Sequence, residues 1–187
     1  MNRSVAMWFC GIAVLLIAQT GCSGSGEPGG FVSVRGSAAL PVSAATAWET
    51  LQDLSAAQHY VPRVTGVEFT TSSHRDVAAS RRVALGPDDY LDETVVEWTE
   101  GEGFRLRLHK GDDGPPIPFG EAFFRYRLVS DAEGDRIETT MSYTVLWGPI
   151  GSLLNWVVIE RIGTASVQDV ADAFAAYVAT VSDGSSN

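Results

Sequence analysis

Apolar and polar positions change period along the chain, and each change marks an element. The segment "FVSVRGSAAL" at 31–40 alternates and predicts a first strand. "PVSAATAWETLQDLSAAQHYVPRV" then shifts to helical spacing, with Ala47, Trp48, Leu51 and Leu54 recurring on one side and Ser43 placed as an N-cap. "DLSAAQHYVP" predicts a second short helix that Pro62 stops. From 64 to 147 the pattern is strand and turn. The predicted strands are "VTGVEFTT", "SRRVALG", "YLDETVVEWTE", "FRLRLHK", "FGEAFFRYRLVS" and "RIETTMSYTVLW", punctuated by Gly-, Pro- and Asp-rich turns.

Alternation also assigns faces. Phe104, Leu106 and Leu108 share one side of their strand, with Arg105, Arg107 and His109 on the other. Ala122, Phe124, Tyr126 and Leu128 line up opposite Arg125 and Arg127, which are expected to face solvent. Ile137, Thr139, Met141, Tyr143, Val145 and Trp147 form a third row. In "YLDETVVEWTE" a regular strand would put Leu91, Glu93, Val95 and Glu97 on one face and Tyr90, Asp92, Thr94, Val96 and Trp98 on the other; which is inside stays open.

After "GPIG" (148–151) the helical period returns over 152–182, with Ser152 as cap. Leu154, Val158 and Ile162 make one stripe, and Val167, Val170, Phe174, Val178 and Val181 a second. Gly163 lies between them, so the segment is one helix kinked there or two in series, the second capped at Ser166. "GPIG" lacks the lysine and parallel-sheet setting of a phosphate loop, and reads as the joint that throws the helix across the sheet. The expected fold is α+β: a curled antiparallel sheet of about six to seven strands around a long C-terminal helix, with two short helices after the first strand. A sheet curled around one helix leaves room for a pocket by geometry.

The N-terminus is of another kind. Residues 1–21 carry a short basic start and the apolar run "SVAMWFCGIAVLLIA", the form of a signal peptide. "QTGC" places Cys22 after a small residue and resembles the lipid-attachment site of bacterial lipoproteins, although Gln19 stands where an aliphatic is usual. The resemblance implies export across the inner membrane and a lipid anchor on Cys22, such as palmitate, at the extracytoplasmic side of the cell envelope. Residues 22–30 form the attachment site and a flexible linker. The domain is expected at 31–182 and a disordered tail at 183–187. Cys10 and Cys22 are the two cysteines, both in this leader region, so the folded part has neither disulfide nor thiol chemistry. The net charge of −10 argues against nucleic acid as a partner and against adhesion to anionic lipid by overall charge.

The order of elements resembles the helix-grip fold of the START-like, or SRPBCC, superfamily, and within it the polyketide cyclase/dehydrase and lipid-transport branch. "VSAATAWETLQDLSAAQHYVPRV" is similar to that branch's opening, "PFGEAFFRYRLV" to its sixth strand, and "MSYTVLWGPIGSLLNW" to its last strand and helix entry. The resemblance spans 31–182 and implies a cavity between sheet and helix for apolar or amphipathic molecules. It brings no shared catalytic set, and Gly163 departs from the family's continuous helix.

The chemistry legible in the residues is sparse. His59, His74 and His109 have no metal-ligand spacing, and no metal or cofactor is implied. No nucleophile motif is present, and no catalytic residue is assigned. His59, beside Tyr60, is a candidate for a pocket mouth; His109 points outward. Tyr126 and Tyr143 alternate with core residues, so their hydroxyls need partners or a cavity. Trp98, Phe124, Met141 and Trp147 are candidate apolar lining, with Leu154 and Val158 closing from the helix; packed core is the alternative for each. If Trp98 points inward, Asp92 and Thr94 become candidate polar pocket groups, Asp92 a candidate acid; the alternative for Asp92 is a solvated residue at a strand start. The expected function is binding or carriage of a hydrophobic or amphipathic small molecule, lipid or polyketide-like, by a membrane-tethered domain. The alternatives are a cyclase or dehydratase acting by positioning and acid/base help, and a non-enzymatic envelope partner. Oligomeric state is open.

Overall fold

Seven strands form one antiparallel sheet in the order β1-β7-β6-β5-β4-β3-β2. The structure, a computed structural model, describes residues 31–111, 114, 119–145 and 160–184, with side chains in the last segment from Ser166 onward. The strands are β1 (Val32–Ala39), β2 (Gly66–Phe69), β3 (Ser80–Ala84), β4 (Tyr90–Thr99), β5 (Gly103–His109), β6 (Phe119–Asp131) and β7 (Gly134–Val145). Between β1 and β2 lie α1 (Ala44–Leu51), a 3-10 turn (Leu54–Ala56) and α2 (Ala57–Tyr60). A long helix, α3 (Glu160–Gly184), ends the described chain. The α+β helix-grip architecture expected from the sequence is the one observed.

Local chemistry explains the helix starts. The Ser43 side chain accepts from the Thr46 amide at 3.1 Å and opens α1. Asp53 accepts from the Ser55 amide at 2.9 Å, which makes the second short helix begin as a 3-10 turn. The Ala44 amide donates to Asp135 Oδ2 at 3.0 Å, tying the start of α1 to the β6–β7 turn.

Rows predicted by alternation face one core. Phe104, Leu106, Tyr126, Leu128 and Ile137 are buried on the inner face of the sheet, and Val167, Val170, Ala171, Phe174 and Val178 of α3 are buried against it. Val181, assigned to the same helix stripe, is instead 39 % exposed, because α3 has by then run past the apolar surface it covers. The helix continues unbroken through Gly163 and Ser166, so the two-helix alternative is not what forms. It also runs through Gly184, two residues past the expected domain end.

Helix and sheet meet by backbone contact at β1. A Cβ on Gly36 would lie 2.7 Å from Gln168 Cα and 2.8 Å from Val167 O, so only glycine permits this approach. Gln168 then clasps the strand: its Oε1 accepts from the Ser37 amide at 3.1 Å and its Nε2 donates to Ser37 O at 2.9 Å. From β7, the Thr139 hydroxyl donates to Val167 O at 2.9 Å.

One expectation fails at β4. The strand is irregular between Val95 and Glu97, a β-bulge at Val96. Leu91, Glu93 and Val95 face inward before it and Trp98 after it; Glu93, Val95 and Trp98 pair with Leu108, Leu106 and Phe104. Glu93 and Glu97, which a regular strand would keep together, are therefore on opposite faces. Asp92 and Glu97, of opposite parity, are both on the outer one.

Gly36→Ala is expected to destabilise the fold by about 1–3 kcal/mol, because strand or helix backbone must move to admit the methyl group. A urea midpoint equal to that of the unsubstituted protein would show that α3 does not need this approach.

Candidate functional site

The inner face carries a connected run of aromatic rings. Trp48 of α1 meets Trp98 edge-on at 5.2 Å, Trp98 stacks on Phe104 at 5.5 Å, and Phe104 lies 5.1 Å from Tyr126. Tyr126 then touches Phe124 at 4.9 Å and Tyr60 of α2 at 6.3 Å. Tyr60 meets Phe174 of α3 edge-on at 5.0 Å. Glu100 holds the first pair by accepting from Trp48 Nε1 at 3.1 Å and Trp98 Nε1 at 3.0 Å. These bonds, from Trp98 first and Trp48 second, lower the Glu100 pKa.

Beside these rings, in the same interior, sits a buried ion pair. Arg81 of β3, 2 % exposed, donates from Nε to Glu93 Oε2 at 2.7 Å, and its Nη2 lies 2.6 Å from the same oxygen. Its Nη1 donates to Leu54 O of the 3-10 turn. Burial opposes the arginine's charge most, but the attraction and hydrogen bond of Glu93 together with the nearby Tyr60 and Tyr126 phenols outweigh it, so the Arg81 pKa is raised. Tyr60 is 3 % exposed and its hydroxyl is buried without a hydrogen-bond partner among the described residues. Burial pushes the Tyr60 phenol upward, with Arg81 pulling weakly the other way, and burial raises Tyr126 in the same manner. Both phenols therefore stay neutral donors at ordinary pH.

The predicted residues fall into four groups. Trp98, Phe124 and Tyr126 are brought together in the aromatic run. Met141 is cross-strand to Phe124 and Val34, and Tyr143, fully buried, meets Phe119 at 5.0 Å. Phe119, Phe124, Met141 and Val145 are on the inner face, half-buried against the core. His59 is exposed and stacks on Tyr177 of α3 at 5.4 Å, at the α2–α3 contact. Trp147, Leu154, Val158 and Cys22 lie outside the described residues.

Asp92 and Thr94 are not pocket groups, although Trp98 does point inward. The bulge leaves both on the outer face. Asp92 accepts from Arg82 at 2.7 and 3.0 Å and from the Gly111 amide at 3.0 Å. The Arg82 bonds lead in lowering its pKa, the reverse of what an acid catalyst needs. Thr94 Oγ1 lies 2.9 Å from His109 Nε2, with His109 on the outer face as expected. Of the polar side chains that do face inward, Tyr126 and Tyr143 were singled out by sequence reasoning, whereas Arg81, Glu93 and Tyr60 were not. The signal for Arg81 was present in "SRRVALG", where it shares parity with the apolar Val83. Among the described residues no cluster of His, Cys, Asp and Glu could hold a metal ion.

The model of the family "Polyketide cyclase / dehydrase and lipid transport" matches residues 32–179. No curated protein sequence matches the chain. Among solved structures, it is similar to TTHA0849 from Thermus thermophilus, at 18 % identity and TM-score 0.61, over 81 % of this chain and 99 % of that one. It is similar to the di-domain ARO/CYC StfQ from the steffimycin biosynthetic pathway, at 11 % identity and TM-score 0.63, over 82 % of this chain and 52 % of that one. A ginseng major latex-like protein 151 from Panax ginseng is alike at 12 % identity and TM-score 0.58, over 80 % of this chain and 98 % of that one. At these identities the structures share the fold alone. With sheet, grip helix and short helices in this order and the family model matched over nearly the whole described domain, the chain belongs to the polyketide cyclase/dehydrase and lipid-transport family of the START-like superfamily.

Proposed function

We propose that this protein binds or carries a hydrophobic or amphipathic small molecule, lipid or polyketide-like, between the inner face of its sheet and α3. Membership in the family supports small-molecule binding in general. The observation that carries the reading further is the Tyr60 hydroxyl, buried and unpartnered among aromatic rings. Leaving such a group unpaired costs about 1–3 kcal/mol, which an acceptor oxygen on a ligand would recover. Since Glu93 already balances Arg81, the ligand's polar end is best read as an uncharged carbonyl or hydroxyl oxygen, with an apolar body along Phe124 and Met141. The cyclase or dehydratase alternative loses its carboxylic acid candidate with Asp92 on the outer face. We further propose that Cys22 carries a lipid that tethers the domain to the extracytoplasmic face of a membrane. The form of residues 1–22 supports this.

Native mass spectrometry of the protein purified from its natural host is expected to show a co-purifying apolar molecule. A homogeneous ligand-free mass, with no binding of fatty acids or polyketide-like aromatics on titration, would sink the carrier reading. Tyr60→Phe is expected to weaken binding of such a ligand by about 2- to 10-fold, the worth of one neutral hydrogen bond. It should leave the ligand-free protein as stable or more so, since it removes an unpaired buried group. A loss of stability would reveal a structural partner for that hydroxyl instead.

The raised phenols also set a pH dependence. Above the ordinary tyrosine pKa of about 10 the unfolded chain loses protons that folded Tyr60 and Tyr126 retain. Fewer bound protons in the unfolded state means that stability falls as pH rises through this range. Denaturant unfolding between about pH 9 and 11 should show that fall, and it should be shallower in Tyr60→Phe. Metabolic labelling with a palmitate analogue checks the anchor, and an unmodified Cys22 overturns it.

A further inference from the structure

The outer face of the sheet sorts charge in a way the net charge of −10 conceals. Seven arginines of the described strands project from it: Arg82 on β3, Arg105 and Arg107 on β5, Arg125 and Arg127 on β6, Arg136 on β7 and Arg35 on β1. The register sets Arg105 opposite Arg125 and places Arg35 in the same row across Thr140 of β7. Like charges so placed repel, and Glu97 relieves this by bridging both, its Oε1 accepting from Arg105 at 3.1 Å and its Oε2 from Arg125. Glu138, opposite Arg127 in the register, is engaged by Arg136 at 3.1 Å. Of the other described acids on this face, Asp92 is held by Arg82, and Glu68 of β2 and Glu121 near the start of β6 are exposed. Arg35, Arg107 and Arg127 are exposed and form no ion pair among the described residues. From strand spacing they cover a patch about 14 Å on a side.

The chain enters the domain on this same face. The Phe31 ring packs against Phe123 at 5.9 Å, and the Arg105 guanidinium lies 4.2 Å from the centre of the Phe123 ring. A lipid on Cys22 would therefore tether the domain from its arginine face, within a linker's reach of at most about 30 Å.

We propose that the outer face of the sheet is a docking surface for anionic phospholipid headgroups, contacted by Arg35, Arg107 and Arg127. The proposal rests on the lipid tether of the preceding section. Net charge opposes such docking at long range. At physiological ionic strength, however, the Debye length is about 8 Å, so carboxylates on the far side and on α3 are screened while the arginine face is not. Each arginine close to an anionic surface strengthens binding about fivefold. Three are too few to recruit a free acidic domain firmly, but the tether supplies the effective concentration that they lack. Docked this way, α3 and the helix side of the domain remain in water.

The test uses the full chain, processed and lipidated in a bacterial host and reconstituted into vesicles of phosphatidylcholine alone or with about one third phosphatidylglycerol. Arginine modification by phenylglyoxal is followed by peptide mass spectrometry, with the exposed Arg63 and Arg75 as internal references. At low salt, Arg35, Arg107 and Arg127 are expected to react about fivefold more slowly on the anionic vesicles than on the neutral ones. High salt should abolish that difference, and Arg63 and Arg75 should not change. The mass of the N-terminal peptide reports the tether separately. A lipidated Cys22 with equal labelling on both vesicles overturns the docking surface alone, as does protection that salt leaves intact. An unlipidated Cys22 overturns the tether and the docking together.

Discussion

Sheet and long helix can close on each other only where their backbones touch, at Gly36 and Gln168. The absent Cβ brings α3 within van der Waals reach of β1. The Gln168 clasp on Ser37 and the Thr139 bond to Val167 O then fix the helix both along and across the strand. These contacts use backbone groups, so they set position more than they add apolar burial. The apolar stripe from Val167 to Val178 follows from that placement, and so does the meeting of Phe174 with Tyr60. The 3-10 turn and α2 complete the enclosure over β3, where Leu54 O receives Arg81.

Inside and outside are divided by one extra residue. The bulge at Val96 lets β4 present Leu91, Glu93 and Val95 to the core and still turn Trp98 inward. Without it, either Trp98 or the Glu93 partner of Arg81 would face water. The same shift delivers Glu97 to the arginine row and leaves Asp92 to Arg82. Interior and exterior electrostatics are thus coupled through a single strand: an ion pair within and a bridged row of like charges without. Buried charge of this kind is weak evidence for stability. Its value here is in fixing which polar groups stand beside the aromatic run.

Much of the architecture was legible because its causes are local. The alternation of β5, β6 and β7 put Leu106, Tyr126 and Ile137 on the core face, and Ser43 and Pro62 bounded the short helices. The site was legible in part. Alternation put Phe124 and Tyr126 on the core face and left the face of Trp98 open; all three are on the inner face. The place of Asp92 stayed open because parity counting ties it to Trp98 on a regular strand, and two adjacent valines give no warning of which one is extra. Arg81 was passed over because an arginine next to another arginine reads as solvated until Glu93 and Leu54 are seen to enclose it. The negative net charge hid the arginine face, since composition sums over a surface that folding divides.

The sequence by itself determined the kinds and order of the elements and the apolar faces of three strands, because periodicity, caps and composition act over a few residues. Tertiary structure alone decided the continuity of α3 through Gly163, the bulge, the buried Arg81–Glu93 pair and the unpartnered Tyr60 hydroxyl. Each of these depends on groups far apart in the chain competing for the same space or the same hydrogen bond, and no local pattern records the outcome.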